Sequence, residues 1–157
     1  MCLALVVGIK CWGHSVRDPD GIEGPAGDNP GLGLLDVETL MTADKHLTRV
    51  IATHAASKTP MHGYEIHIGR TDGPARTRPF AEIAGMPEGA MSPDGRIIGS
   101  YLHGMFSGDQ FRQAFLAELG AAPSTYAYNA DVEAVLDALA AHLEQHLDIT
   151  ELLALAR

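Results

Sequence analysis

The order of signals along this 157-residue sequence predicts an α+β domain, or the later portion of an α/β domain whose earlier units lie elsewhere. Three observations carry that expectation. Short apolar or alternating segments, several of them β-branched, crowd the chain as far as residue 103. Helical periodicity is confined to the residues beyond that point. Between the short segments lie turn signals, supplied by 17 Gly and 9 Pro. With 46% apolar and 20% charged residues, the composition is that of a globular domain and excludes a disordered or fibrous chain.

Leu3–Val7 is a short apolar run compatible with a buried parallel strand. Residues 18–33, DPDGIEGPAGDNPGLG, read as a loop. Strands are expected at Leu34–Met41, His46–Thr53, Gly63–Gly69 and Arg96–His103, with a further short one at Pro79–Ala84. Ser107–Leu119 reads as a helix with Ser107 as N-cap and Gly120 as its stop. Val132, Val135, Leu136, Leu139, Leu143 and Leu147 recur at three- and four-residue steps and predict a second helix with one apolar face. A break is expected at residues 148–150, before a last turn at Glu151–Ala156.

Acids outnumber bases 20 to 11, for a net charge of −9, which repels phosphate backbones and makes nucleic acid a poor partner. The apolar start is preceded by no basic residue and followed by Lys10, so it does not read as a signal peptide. No run reaches the ~20 apolar residues that span a bilayer. A cytoplasmic protein without membrane contact is expected. Cys2 and Cys11 do not make a disulfide framework.

Four constellations are candidates for chemistry. The Gly-rich stretch 21–33 lacks the Lys of a phosphate loop and does not match a dinucleotide fingerprint. His142 and His146 share a helix face, but no Glu follows His142 and no third ligand is in sight, so no metal site is expected. In GYEIHIG, Tyr64, Ile66 and Ile68 face one way while Glu65 and His67 face the other, where a carboxylate and an imidazole can tune each other. In GSYLHGMF, His103 closes an apolar strand after Tyr101, the place where α/β sheets bind ligands and a general base can act.

Four motifs in order, DPDGIEGPAG with GLGLLDVET, then GYEIHIGRT, then DGR with GSYLHGMF, resemble the C-terminal glutamine amidotransferase domain of the cobyric acid synthase family. The similarity runs from about Gly13 to about Leu119, and the end fits the family's helical tail loosely. It implies the C-terminal portion of an α/β, class I glutamine amidotransferase-like (flavodoxin-like) domain with C-terminal helices. It implies that a Cys on a strand-to-helix elbow attacks glutamine. His103 would then be the catalytic residue that activates the thiol, supported by Tyr64, Glu65, His67 and Tyr101. Ammonia would pass to a synthetase domain that uses ATP and Mg²⁺ to amidate a corrinoid in cobalamin biosynthesis. This chain itself needs no cofactor under that reading; glutamine, a corrinoid and a separate synthetase domain are the implied partners.

The same resemblance has two departures. The synthetase domain and the first half of the amidotransferase domain have no counterpart here. The nucleophile is also missing: counting back from Asp18, Val6 stands where the family has Cys, and Cys11 falls one to two helical turns further on. Residues 6–12 can be encoded so that reading one base earlier yields Cys-Gly-Gly-Tyr-Gln-Met-Leu, the family's elbow. The chain therefore divides into an atypical segment 1–12, an out-of-frame elbow or a diverged one, and a partial amidotransferase domain 13–157. An inactive amidotransferase portion is the first reading. A non-catalytic docking module derived from an amidotransferase is the alternative, and a hydrolase pairing Cys11 with His103 comes third.

Overall fold

The computed structural model describes residues 2–5, 7–122, 124 and 126–156, with side chains described from residue 9 onward within those ranges. The chain builds two mixed sheets and a helical C-terminal end, the α/β class expected from sequence. In the three-stranded sheet, β1 (Cys2–Leu5) lies parallel to the later strand Ile97–Ser100, whose other edge carries the short strand Ala90–Met91. A helix, α1 (Val7–Trp12), comes soon after β1, so the expected strand Leu3–Val7 ends earlier than predicted. Val6 lies outside the described residues.

The seven-stranded sheet begins with β2 (Ser15–Asp18), β3 (Gly27–Pro30), β4 (Glu38–His54) and β5 (Pro60–Asp72). β3 corrects the loop expected at 18–33: it pairs antiparallel with β2, an edge position that tolerates Pro30. The loop between them is closed by Asp18, whose carboxylate accepts from Ile22 N–H at 2.7 Å and Glu23 N–H at 3.0 Å. These donations hold the Asp18 carboxyl below the usual carboxylate range. The separate strands expected around 34–41 and 46–53 form one long β4, which pairs with β5 across a register shift between Leu40 and Lys45. That irregularity falls on Thr42–Asp44, where the alternation in the sequence lapses.

Three short strands, β6 (Ala81–Ile83), β7 (Met86–Glu88) and β8 (Ala90–Met91), lead to β9 (Ile97–Ser100) and β10 (Leu102–His103). The chain changes sheets between β9 and β10: β9 pairs with β1, whereas β10 pairs antiparallel with β5. The single strand predicted for 96–103 is thus broken at Tyr101.

Two apolar clusters hold the fold. One gathers Phe80, Phe111, Phe115, Met61, Leu102 and Met105 on one side of β4–β5. The other packs Ile9 of α1 with Leu35, Val37, Ala75 and Tyr101. Gly99 permits that packing, because a Cβ there would lie 2.8 Å from Ile9 Cγ1 and 3.0 Å from Leu35 Cδ1.

Helix α2 (Asp109–Glu118) buries Phe111 and Phe115. Its N-cap is Gly108 and not Ser107, whose hydroxyl instead donates to the Gly104 carbonyl at 2.8 Å. Helices α3 (Tyr128–His146) and α4 (Ile149–Leu155) form where periodicity placed them, with the break at Asp148, whose carboxylate caps α4 by accepting from Glu151 N–H at 2.9 Å. The predicted apolar face of α3 is present but none of it is buried among the described residues.

Candidate active site

The site grows from the place where β9 hands over to β10. Leu5, at the end of β1, is in register with Ser100, at the end of parallel β9. Both strands leave the sheet at the same end, the carboxyl end at which open α/β sheets bind ligands. From Ser100 the chain crosses to the second sheet and sets His103 against Tyr64 of β5. Tyr64 is in turn in register with Arg49 of β4, so Arg49, Tyr64 and His103 form one row across three strands.

Gly63 is required here. A Cβ at this position would sit 2.3 Å from the His103 carbonyl oxygen, so any side chain would force β10 away from β5. After His103, Gly104 takes a left-handed backbone conformation (φ 74°) and turns the chain into the helical turn Met105–Ser107. Beside this turn lies a cleft of about 330 Å³ whose walls include Arg49, His62, Tyr64, Gly104 and Asn129.

His103 Nε2 is buried and has no hydrogen-bond partner among the described residues. A buried unpaired ring nitrogen is costly and calls for a reacting partner or an ordered molecule. Cys11 is exposed on α1 and does not supply that partner. The expected nucleophile position, Val6, lies outside the described residues.

The other residues expected around His103 divide between two faces of β5. Tyr64 stands beside His103 and is half-exposed. Glu65 and His67, on alternate positions, face the packed side, where Glu65 Oε1 lies 3.3 Å from His67 Nε2 and Glu65 Oε2 lies 3.1 Å from His46 Nε2. The His67 ring stacks on Tyr101 with centroids 4.5 Å apart, and its Nδ1 bonds the Gly69 carbonyl at 3.0 Å. The Tyr101 hydroxyl meets Thr71, which meets Thr39 at 2.7 Å, a buried hydroxyl chain across β4 and β5. Burial raises the Tyr101 phenol above its ordinary value, so it stays neutral. Glu65, His67 and Tyr101 therefore form one group behind the strand that carries His103, and Tyr64 alone of the four sits next to it in register.

Sequence reasoning passed over several members of this region. His46 joins Glu65 only through strand pairing. Thr39 and Thr71 read as ordinary strand residues. Glu88 carried no periodic signal, yet it is 5% exposed and bonded to Ser100 and to the Tyr101 backbone. His142 and His146 lie side by side on α3 with ring centroids 4.4 Å apart and the rings tilted by 53°, and among the described residues no three His, Cys, Asp or Glu side chains are arranged to hold a metal ion.

Residues 2–111 match the CobB/CobQ-like glutamine amidotransferase domain. Cobyric acid synthase of Rhodobacter capsulatus is 64% identical over 155 residues, covering 99% of this chain and 32% of that protein. Cobyric acid synthase of Bradyrhizobium diazoefficiens is 61% identical over 155 residues with the same coverage, and that of Paracoccus denitrificans is 54% identical. The chain spans about a third of the length of these relatives. No helix among the described residues is long and apolar enough to cross a membrane. The match over residues 2–111, together with these identities, means that the chain belongs to the CobB/CobQ-like glutamine amidotransferase domain family, class I glutamine amidotransferase-like in fold.

Proposed function

We propose that this chain is the glutamine-handling part of a cobyric acid synthase-type amidotransferase, with His103 as its acid–base residue, and that it does not hydrolyse glutamine by itself. The observation that carries the reading is His103 Nε2: buried, without a partner among the described residues, and three residues beyond Ser100, which is in register with the last residue of β1. In the family's chemistry a thiolate adds to the side-chain carbonyl of glutamine. The imidazolium then protonates the departing nitrogen, ammonia leaves, and water releases glutamate from the thioester. His103 carries the proton transfers in this reading. Valine at position 6 supplies no electron pair for the first bond, so the sequence as it stands stops before that step.

Ammonia then passes to a synthetase part that uses ATP and Mg²⁺ to amidate a corrinoid, a reading supported by relatives about three times as long as this chain. Residues 13–157 are the partial amidotransferase domain. Residues 1–12 are a rewritten or diverged elbow, which sequencing the coding DNA through the first 13 codons separates. The docking alternative draws on the uncovered apolar face of α3.

Incubating the purified chain with ¹³C-glutamine and following glutamate by NMR tests the proposal. Background hydrolysis is expected, unchanged in His103→Ala. Hydrolysis above background that His103→Ala abolishes would overturn the inactivity of the chain. Glutamine that perturbs no signal from Arg49, Tyr64 or His103 at millimolar concentration would overturn the glutamine-handling role.

A further inference from the structure

Glu88 is a buried carboxylate placed where an apolar side chain would be expected between Phe80 and the inner strands. Its Oε1 accepts from the Tyr101 N–H at 2.7 Å and its Oε2 accepts from the Ser100 hydroxyl at 2.9 Å. Ser100 Oγ in turn accepts from the Leu102 N–H at 3.0 Å. One carboxylate thereby ties down three consecutive residues, and these three are the link between β9 and β10. The backbone at Glu88 is itself anchored. Its carbonyl accepts from Phe80 N–H at 3.0 Å, and it is in register with Ala81 of β6. Gly89 (φ 74°) brings the next residue so close to β9 that a Cβ would lie 2.6 Å from the Gly99 carbonyl oxygen.

The location gives these bonds their meaning. Ser100 is the residue opposite Leu5, at the end of the strand that leads to position 6, and His103 is three residues beyond Ser100. Glu88 holds the crossing through which the chain runs from Ser100 to His103. A buried carboxylate with two donors is an expensive way to fill this volume, since burying a charge is costly whereas burying an apolar group is favourable. A requirement for two acceptors at fixed positions explains it: one backbone N–H and one hydroxyl must both be met.

We propose that Glu88 is the positioning residue for His103, its carboxylate fixing the β9–β10 crossing that carries His103 from the end of β9 to its place against Tyr64. The proposal rests on His103 as the acid–base residue, and it assigns Glu88 no contact with glutamine. Burial pushes the Glu88 carboxyl up to about 7, against the opposing donations of Tyr101 N–H and the Ser100 hydroxyl. Among charged groups, Glu65 raises it further and Arg76 lowers it; the neighbouring Tyr101 phenol stays neutral. Near neutral pH the carboxyl therefore changes between two acceptor oxygens and one acceptor plus one O–H donor, and the crossing must adjust.

NMR of the protein labelled in backbone ¹⁵N and in the histidine rings with ¹³C tests this without glutamine, so its failure is separable from failure of the glutamine reading. His103 is assigned by loss of its signal in His103→Asn. In the unmodified chain the Tyr101 amide proton should show an inflection near pH 7, moving upfield as the Glu88 carboxyl gains its proton. Glu88→Gln, which keeps the volume and one acceptor, should remove that inflection from the Tyr101 amide and shift the His103 Cε1 signal while leaving the His54 and His142 signals in place. Glu88→Ala should displace the His103 signal at every pH. A His103 curve identical in the unmodified chain and Glu88→Gln, or a Tyr101 amide indifferent to the substitution, would overturn the proposal even if Glu88→Ala does not fold.

Discussion

Leu5 at the end of β1 stands opposite Ser100 at the end of β9, and His103 is three residues beyond Ser100. Two chain segments that the sequence separates by more than ninety residues therefore leave one parallel pair of strands at the same end. Under the proposed function one reacting group comes from each segment: His103 is the imidazole of one, and position 6 of the other is Val.

Gly63→Ala tests the contact that holds β10. The new Cβ would lie 2.3 Å from the His103 carbonyl oxygen, a backbone atom that cannot swing aside. A stability loss of about 1–3 kcal/mol in urea denaturation is expected. The His103 ring signal should shift with it, whereas Gly85→Ala, with nothing within 4 Å of its Cβ, should leave that signal in place.

Stability should fall as pH rises from about 4.5 to about 7 and level off above it. The Glu88 carboxyl is raised by burial from 4.5 to about 7. Its favourable contribution is thus fully present below 4.5 and is lost as pH climbs through about 7, where the folded protein must hold a buried charge. The difference amounts to roughly 3 kcal/mol at most. Urea midpoints between about pH 4.5 and 7 should show the decline, and Glu88→Gln should flatten it.

On the acid side His54 imposes the opposite trend. It is buried against Phe80 and Phe111, with ring centroids 5.0 and 5.3 Å away, and burial lowers its pKa; Glu118 opposes and Lys58 adds to that effect. Its contribution is present above the ordinary histidine value and is lost as pH falls through the lowered one. His54→Gln should remove the part of the acid-side decline that tracks this titration in thermal melts.

Phe111→Ala should cost about 3–5 kcal/mol, because Phe111 is fully buried at the meeting point of α2 with β4 and β5 and contacts Phe80, Phe106 and Phe115. Chemical denaturation monitored by circular dichroism measures it. Leu139→Ala on the exposed face of α3 should change stability by less than about 0.5 kcal/mol in the same assay.

Backbone amides of α3 should exchange with deuterium much faster than those of α2. A 19-residue helix with no buried residue depends on local hydrogen bonds and propensity alone. Asp148→Ala should further fray α4 by about 1 kcal/mol, since the side chain caps Glu151 N–H. Exchange mass spectrometry over residues 128–156 would show both effects.

Local signals were legible in the sequence and distant ones were not. The helix stripe from Val132 to Leu147 and the break at Asp148 arise from spacing that the backbone geometry repeats. β3 escaped notice because Gly27–Pro30 has neither β-branched residues nor alternation; its partner β2 makes it a strand. Ser107 looked like an N-cap because its residue type fits, yet the turn Met105–Ser107 engages its hydroxyl first. The alternation in GYEIHIG was right, but its polar face is the packed one. Sequence alone assigns faces by polarity, whereas here His67 is covered by the Tyr101 ring.

By itself the sequence determined the family, through four motifs in order, and the lack of a cysteine at position 6, because both are properties of residue identity. It determined most strands and helices, because periodicity is local. Only the tertiary structure decided that Tyr64 sits beside His103 while Glu65, His67 and Tyr101 lie behind the strand, and that Glu88 holds the crossing between two sheets. Those relations depend on which distant strands pair and in what register. A shift of one residue would turn every side chain of β5 to the opposite face.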